Sequence, residues 1–244
     1  FEPIFDYDKI LRNQAFLYTN YFALKDKFVE FLSRKTMNFI VDNAQSFFSK
    51  PLQGSDTFYS PRKFFGVSDG AYLYSDTKLD HDLNTDKSHT KFSHLLKRID
   101  TSVEEGYFDF KDNDKSLINN PIRKMSKLTS ELLASIDYDA VGAIRKENMA
   151  CLHSSLYGIN KLKFDINEIG VPMVYPLLTN NGNGLRKYLT KNKIYTAKYW
   201  PNIINWVKED SMEYYLSDNI VALPIDQRYT QSDMKFILNT VSKY

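Results

Sequence analysis

The first third of the chain alternates short apolar runs with an amphipathic helical pattern. Ala15–Phe22 is apolar and rich in residues that favour strands, and Asn38–Asp42 contains a second short apolar run. Between these runs, apolar residues recur at the three- and four-residue spacing of a helix, at Leu24, Phe28, Phe31 and Leu32. A strand that is apolar on both faces suits a parallel sheet covered by helices. We therefore predict an α/β fold with a three-layer, mainly parallel sheet.

Two more strands and a polar region follow. The pattern predicts short strands at Asp56–Tyr59 and Gly70–Tyr74. The stretch Lys78–Asn120 is polar and is predicted to carry one helix near Phe92–Val103. This stretch therefore contributes little to the predicted sheet.

A long helical pattern at residues 121–158 separates two regions of different texture. Apolar residues recur on one helical face through this segment, with a break predicted near Gly142. Because helices of this length commonly connect domains, we interpret the segment as bridging helices. Residues 1–120 are then predicted to belong to a large domain and residues 159–244 to a smaller α+β domain.

The smaller domain is predicted to contain two strands and two helices. The strands are predicted at Val171–Leu178 and Ile220–Ile225, and a short helix at Gly184–Lys193. Thr230 and Asp233 have the spacing of a capping box, with Asp in place of the usual Glu. The apolar positions of the last helix follow at Met234, Ile237, Leu238 and Val241.

Composition excludes several classes of protein. The chain has 244 residues, of which 43% are hydrophobic and 25% charged, so disorder is excluded as its main state. No apolar run approaches the roughly 18 residues of a membrane-spanning helix. The 32 Lys and Arg nearly balance the 30 Asp and Glu and are interspersed with them, which argues against a nucleic-acid partner. A single cysteine and four scattered histidines offer neither a disulfide framework nor a metal site.

The densest set of chemically useful residues lies between Asp42 and Gly70. In open α/β sheets, ligands bind beyond the carboxyl ends of the strands, and Asp42 closes a predicted strand. Lys63 precedes Phe64 and Phe65, which indicates a tight and partly apolar turn where an amine has a lowered pKa and acts as a nucleophile. Taken singly, an Asp in this position is more often a turn or capping residue, and a Lys among aromatics is usually a surface residue.

These residues resemble the fold-type I, pyridoxal-phosphate-dependent sugar aminotransferases of the DegT–StrS type. Asp42–Gln45 matches the family's Asp-x-Ala-Gln strand end, and Lys63 follows about twenty residues later, as the family's Schiff-base lysine does. Three further segments resemble later parts of the family pattern, namely Asn120–Met125, Arg145–Asn148 and Leu223–Tyr229. The resemblance covers almost the whole chain, and its specific parts are the Asp42 and Lys63 blocks.

The resemblance implies a cofactor, pyridoxal 5'-phosphate, and roles for five residues. Asp42 would keep the proton on the ring nitrogen, and Gln45 would hold the phenolic oxygen. Lys63 would be both the covalent anchor and the proton shuttle, which favours transamination over dehydration. Ser60 and Asn120 would contact the phosphate, although Asn120 also suits the start of a helix.

Two residues are interpreted as substrate ligands. Arg62 would bind phosphate or carboxylate, with a surface salt bridge as an equal alternative. Tyr199 would line a sugar pocket, with core packing or a dimer contact as the favoured alternative. The family's glycine- or serine-rich phosphate turn has no counterpart before Phe16, and Phe1–Pro3 resembles neither a start nor a signal peptide. We expect the chain to lack the N-terminal part of the family's large domain.

The predicted function follows from the resemblance. We expect a cytoplasmic homodimer that transfers an amino group from an amino-acid donor to a nucleotide-linked keto sugar, for surface polysaccharide biosynthesis. No nucleic acid, membrane or metal is expected as a partner. The alternative is a non-catalytic relative in which the fold serves binding or structure. A carbohydrate-binding module is disfavoured by the alternation of strands and helices.

Overall fold

The computed structural model describes residues 1–79 and 82–244, which cluster into two compact units. Unit 1 comprises Phe1–Tyr21 and Lys27–Asp137, and unit 2 comprises Phe22–Asp26 and Tyr138–Tyr244. The segment predicted as bridging helices is thus divided between the units. Within the described residues, no helix has both the length and the apolar character needed to cross a membrane.

Unit 1 is built on a mixed sheet of four strands among the described residues. The strands are β1 (Phe16–Thr19), β2 (Phe39–Asp42), β3 (Asp56–Tyr59) and β4 (Tyr72–Tyr74), in that spatial order. The first three run parallel, as predicted, whereas β4 is antiparallel to β3. The connection from β3 to β4, residues 60–71, contains the 3-10 turn Pro61–Lys63 and no α-helix. The α/β class is confirmed, and the third layer stays a prediction.

Helix α1 (Asp26–Ser33) connects β1 to β2, as the spacing of its apolar residues predicts. Val29 and the fully buried Leu32 of this helix pack in one cluster with Tyr18, Phe39 and Val41 of the sheet. The strand–helix–strand pattern therefore produces the expected parallel pair, with the helix covering one face of the sheet.

Three more helices complete unit 1: α2 (Ser93–Asp100), α3 (Val103–Ser116) and α4 (Lys127–Ala134). The prediction of a single helix near Phe92–Val103 is wrong, because two helices, α2 and α3, occupy this region. Ser102 separates them, because its side chain accepts a hydrogen bond from the Glu105 N–H and so caps a new helix.

Unit 2 begins its long helical part with α5 (Tyr138–Leu156). The break predicted near Gly142 is wrong, because Gly142 lies inside α5 and the helical pattern is interrupted between Ala134 and Tyr138 instead. A Cβ on Gly142 would lie 3.3 Å from Val171 Cγ2, so this glycine allows a close approach between segments of unit 2.

The rest of unit 2 is an antiparallel strand pair with three helices among the described residues. Strands β5 (Tyr175–Leu178) and β6 (Ile220–Leu223) are fully buried. The helices are α6 (Gly182–Lys191), α7 (Met212–Asn219) and α8 (Gln231–Ser242). The predicted capping box is confirmed, since Thr230 and Asp233 each accept a hydrogen bond from the other's backbone N–H.

Candidate active site

The carboxyl ends of β2 and β3 bring the two best sequence candidates to one edge of the sheet. Asp42 is the last residue of β2 and pairs with Phe58 of β3. The Asn43 N–H donates to the Phe58 carbonyl at 2.9 Å, which extends the pairing beyond the strand. Lys63 lies in the 3-10 turn Pro61–Lys63, directly after β3. Because parallel strands end at the same edge, Asp42 and Lys63 lie at the same edge of the sheet.

The Asp42 carboxylate is oriented by two hydrogen bonds, one to each oxygen. The Ala44 N–H donates to Oδ1 at 2.8 Å, and the Thr19 hydroxyl donates to Oδ2 at 3.2 Å. A carboxylate has about four acceptor positions, so both oxygens keep capacity for a further donor. The half-buried Asp42 is therefore fixed in orientation and still able to accept a hydrogen bond from a ligand.

The turn after β2 is held by a buried polar network that carries Gln45. The Asn20 side-chain amide donates to Asn43 Oδ1 at 3.1 Å, and the Ser46 hydroxyl donates to the Asn20 carbonyl at 2.6 Å. Asn20, Asn43, Gln45 and Ser46 are all buried. Sequence reasoning missed Thr19 and Asn20, although the end of a third parallel strand at the same edge was a usable signal.

An aromatic cluster supports the turn that carries Lys63. Phe64 and Phe65 are buried, and both of their N–H groups donate to the Pro61 carbonyl at 2.9 Å. The Phe47 ring lies 4.9 Å from the Phe65 ring and 5.8 Å from the Phe64 ring, centroid to centroid. The partly apolar turn predicted from Phe64 and Phe65 is confirmed.

The Lys63 side chain is exposed, yet its amine is chemically perturbed. Surrounding protein atoms lower the pKa of Lys63 below its usual 10.5 by desolvation. The negative charge of Asp42 raises the pKa of Lys63, so the Asp42 carboxylate lies close enough to act on the amine. Within the part of the chain that the structure describes, the Lys63 Nζ has no hydrogen-bond or ion-pair partner. The amine is thus available to react.

The loop after Lys63 is anchored to α4 by Asp69. The buried Asp69 carboxylate accepts hydrogen bonds from the Ser126 N–H at 2.8 Å, from the Ser126 hydroxyl at 2.9 Å and from the Thr129 hydroxyl. Gly70 has a φ of 99°, and a Cβ there would lie 2.9 Å from Met125 Cε. Residues 64–70 are therefore fixed at both ends, by the turn at Pro61 and by α4.

The remaining predicted residues of unit 1 have different environments. Ser60 precedes the Lys63 turn, and its hydroxyl makes no capping hydrogen bond. Arg62 pairs with Asp114 of α3, with 3.7 Å between Nη1 and Oδ1. The exposed Asn120 donates its side-chain N–H to the Ser116 carbonyl at the end of α3. Ser60 thus stays with the Asp42–Lys63 edge, whereas Arg62 and Asn120 contact α3.

Tyr199 belongs to unit 2 and packs among aromatic rings. Its ring lies 5.2 Å from that of Phe22 and 5.5 Å from that of Trp200. Burial raises the pKa of Tyr199 to about 12, against an opposing effect of Arg145. These contacts favour the packing alternative, and a role of Tyr199 towards a sugar stays a proposal.

The segment that resembles the family's arginine-containing stretch has a structural role within unit 2. Arg145 is 1% exposed, donates from Nε to Gln227 Oε1 at 3.0 Å, and donates from Nη1 to the carbonyls of Pro172 and Met173 at 3.2 and 3.0 Å. A buried guanidinium with these acceptors ties α5 to two loops of the unit.

Comparison with known proteins identifies the class of fold. No family model matches the chain, and no curated protein matches it in sequence. Solved structures do match it, and they include a DegT DnrJ EryC1 StrS aminotransferase and other aminotransferases. The chain therefore has the fold of this class, which confirms the resemblance that the Asp42 and Lys63 blocks indicate.

Three of these structures illustrate the match. The aminotransferase TlmJ from Streptoalloteichus hindustanus is 14% identical with a TM-score of 0.60, over 97% of this chain and 67% of its own. The PLP form of Spr1654 from Streptococcus pneumoniae, assigned as a sugar aminotransferase, is 15% identical with a TM-score of 0.58. The match covers 94% of this chain and 68% of Spr1654. A DegT DnrJ EryC1 StrS aminotransferase from Brucella abortus is 13% identical with a TM-score of 0.54. The match covers 93% of this chain and 63% of the Brucella chain.

Proposed function

We propose that the chain is part of a pyridoxal-phosphate-dependent aminotransferase that acts on a nucleotide-linked keto sugar. The observation that carries the proposal is the Lys63 amine, which has a lowered pKa, has no partner among the described residues and lies near the charge of Asp42 at the ends of β2 and β3. The shared fold supports it, because TlmJ is an aminotransferase and Spr1654 has a PLP form. We further propose that an amino acid donates the amino group. The protein is proposed to be a cytoplasmic homodimer that serves surface polysaccharide biosynthesis.

The residues at this edge fit the cofactor. Both Asp42 oxygens keep acceptor capacity, which suits a protonated ring nitrogen. Gln45 lies on the fixed turn after β2 and is assigned the phenolic oxygen, and Ser60 is assigned the phosphate. When bound, pyridoxal phosphate supplies an electron sink for the substrate carbon that loses its proton.

Two residues of the chain hold or move protons in this proposal. The Asp42 carboxylate accepts a hydrogen bond from the ring N–H and keeps that proton in place through its negative charge. Lys63 would hold the cofactor covalently through Nζ and, as a free amine, would accept the proton at the substrate carbon and donate it again. The lowered pKa of Lys63 suits this task, because a neutral amine is the form that attacks and accepts a proton.

Arg62 and Tyr199 are proposed as ligands of the substrate, and Asn120 as a ligand of the cofactor phosphate. Among the described residues, Arg62 pairs with Asp114 at 3.7 Å, so its guanidinium keeps donors for the phosphate of a nucleotide. Asn120 and Tyr199 are proposed as ligands of the cofactor phosphate and of the sugar, respectively. For these assignments, Asn120 must exchange its hydrogen bond to the Ser116 carbonyl for one to the phosphate. Tyr199 must contact the sugar from the edge of the aromatic cluster in which it packs.

A half-reaction assay tests the function. The full natural protein, loaded with pyridoxal phosphate, is mixed with glutamate, and the formation of 2-oxoglutarate is measured before a panel of nucleotide-linked keto sugars is added. We expect one equivalent of 2-oxoglutarate per site from the wild type and none from Lys63→Ala. Asp112→Ala, which changes an exposed residue of α3, is the control and should behave as the wild type. Retention of the cofactor without formation of the matching 2-oxo acid from any of a range of amino acids would contradict transamination.

A further inference from the structure

The last residue of β1 lies against the carboxylate that the proposed function assigns to the ring nitrogen. Thr19 is the direct partner of Asp42 in the β1–β2 register, and its hydroxyl donates to Asp42 Oδ2 at 3.2 Å. The Asn20 N–H donates to the Asp42 carbonyl at 3.0 Å, which fixes the backbone of the pair just beyond β1. The position of the hydroxyl is therefore set by the sheet.

We propose that Thr19 is a positioning residue that orients the Asp42 carboxylate towards the ring nitrogen of pyridoxal phosphate. This inference rests on the proposed function and adds a residue to its site. Thr19 does not touch the cofactor in this account, and its effect is exerted only through Asp42.

The Thr19 hydroxyl restricts the rotation of the Asp42 carboxylate. With Oδ1 held by the Ala44 N–H and Oδ2 held by the Thr19 hydroxyl, the carboxylate plane has one favoured orientation. Without the hydroxyl, Oδ2 loses its donor and the carboxylate turns more freely about the bond that joins it to Cβ. Restoring the orientation on binding then costs free energy, so affinity for the cofactor falls. A hydrogen bond to a charged acceptor contributes about 1.5–3 kcal/mol, which corresponds to about tenfold or more in a binding constant.

The neighbouring strand offers a matched control. Thr57 lies on β3 and is fully buried, and its hydroxyl has no hydrogen-bond partner among the described residues. Thr19→Val and Thr57→Val therefore make the same chemical change two strands apart in the sheet, and only the first removes a bond to Asp42. Thr19→Ser keeps the hydroxyl and serves as the conservative variant.

The test compares two ligands on the full natural protein. Dissociation constants are measured by absorbance titration for pyridoxal phosphate and for its 1-deaza analogue, in which carbon replaces the ring nitrogen. We expect Thr19→Val to weaken binding of pyridoxal phosphate about tenfold and to leave binding of the analogue close to that of the wild type. Thr19→Ser and Thr57→Val should resemble the wild type with both ligands. Thermal unfolding of the ligand-free proteins checks that each variant folds.

Each outcome decides between distinct accounts. Equal weakening of both ligands by Thr19→Val, or similar weakening by Thr57→Val, would show a structural effect on the sheet and overturn the positioning role. Unchanged affinity in a folded Thr19→Val protein would overturn it as well, while leaving the proposed function intact. Failure of the wild type to bind pyridoxal phosphate would overturn the proposed function together with this inference.

Discussion

Replacement of Asp69 should destabilise unit 1, because this carboxylate connects the loop after Lys63 to the first turn of α4. Asp69 is 4% exposed and accepts hydrogen bonds from the Ser126 N–H, the Ser126 hydroxyl and the Thr129 hydroxyl. Asp69→Ala removes both acceptor oxygens, and with them all three hydrogen bonds, and leaves the Ser126 N–H buried without its partner. The Ser126 hydroxyl keeps its contact with the Ser88 hydroxyl at 2.6 Å.

The magnitude follows from the three bonds and the burial of the carboxylate. Hydrogen bonds to charged acceptors contribute about 1.5–3 kcal/mol each, while the desolvation of the carboxylate, which the variant also removes, offsets part of the sum. We expect Asp69→Ala to lower the free energy of unfolding of unit 1 by about 3 kcal/mol. Asp69→Asn keeps an acceptor for the Ser126 N–H and should lose about half as much.

The assay must distinguish the two units. Both tryptophans, Trp200 and Trp206, lie in unit 2, so tryptophan fluorescence reports on that unit. Amide hydrogen exchange of α4, followed by mass spectrometry across a denaturant series, reports on the segment that Asp69 holds. Asp112→Ala is the surface control and should change stability by less than about 0.5 kcal/mol. A similarly small effect of Asp69→Ala on the exchange of α4 would show that the Asp69 hydrogen bonds do not stabilise this helix.

Two further predictions concern the Lys63 amine and the buried guanidinium of unit 2. Burial lowers the pKa of Lys63, Asp42 raises it and Arg62 lowers it. In the ligand-free protein, Asp42→Asn should therefore make Lys63 react with an amine reagent at lower pH, and Arg62→Gln should shift its reaction to higher pH, as read by peptide mass spectrometry. Shifts in the same direction for both variants would contradict the assignment of charges. Arg145→Met removes three donated hydrogen bonds and leaves two buried carbonyls without a donor, so unit 2 should lose about 3 kcal/mol of stability, measured by tryptophan fluorescence in denaturant. A loss below about 1 kcal/mol would show that these carbonyls find other partners.

The sequence predicts the site where local pattern and topology determine the outcome. The runs that end at Asp42 and Tyr59 are identified as strands by their composition, and the parallel arrangement then brings their carboxyl ends together. The apolar turn after Lys63 is equally local, because Pro61, Phe64 and Phe65 are adjacent in sequence.

Contacts between distant segments escape such reasoning. Asp69 and Ser126 are 57 residues apart, and nothing in the periodicity of either segment joins them. The Thr19–Asp42 hydrogen bond depends on the register of two strands, which the apolar pattern leaves unspecified at the level of one residue. The sequence predicts a break at Gly142 because glycine weakens helices, whereas Gly142 lies inside α5 and allows the close approach of Val171.

The central claim is that Lys63 is the covalent anchor of the cofactor, and one measurement tests it most directly. The full natural protein is incubated with pyridoxal phosphate, reduced with borohydride and digested, and the pyridoxyl group is located by peptide mass spectrometry. We expect near-complete labelling confined to Lys63, and its loss in Lys63→Arg, which keeps the positive charge. Labelling spread over surface lysines to the same extent in both proteins would contradict the account and favour a non-catalytic relative of the fold.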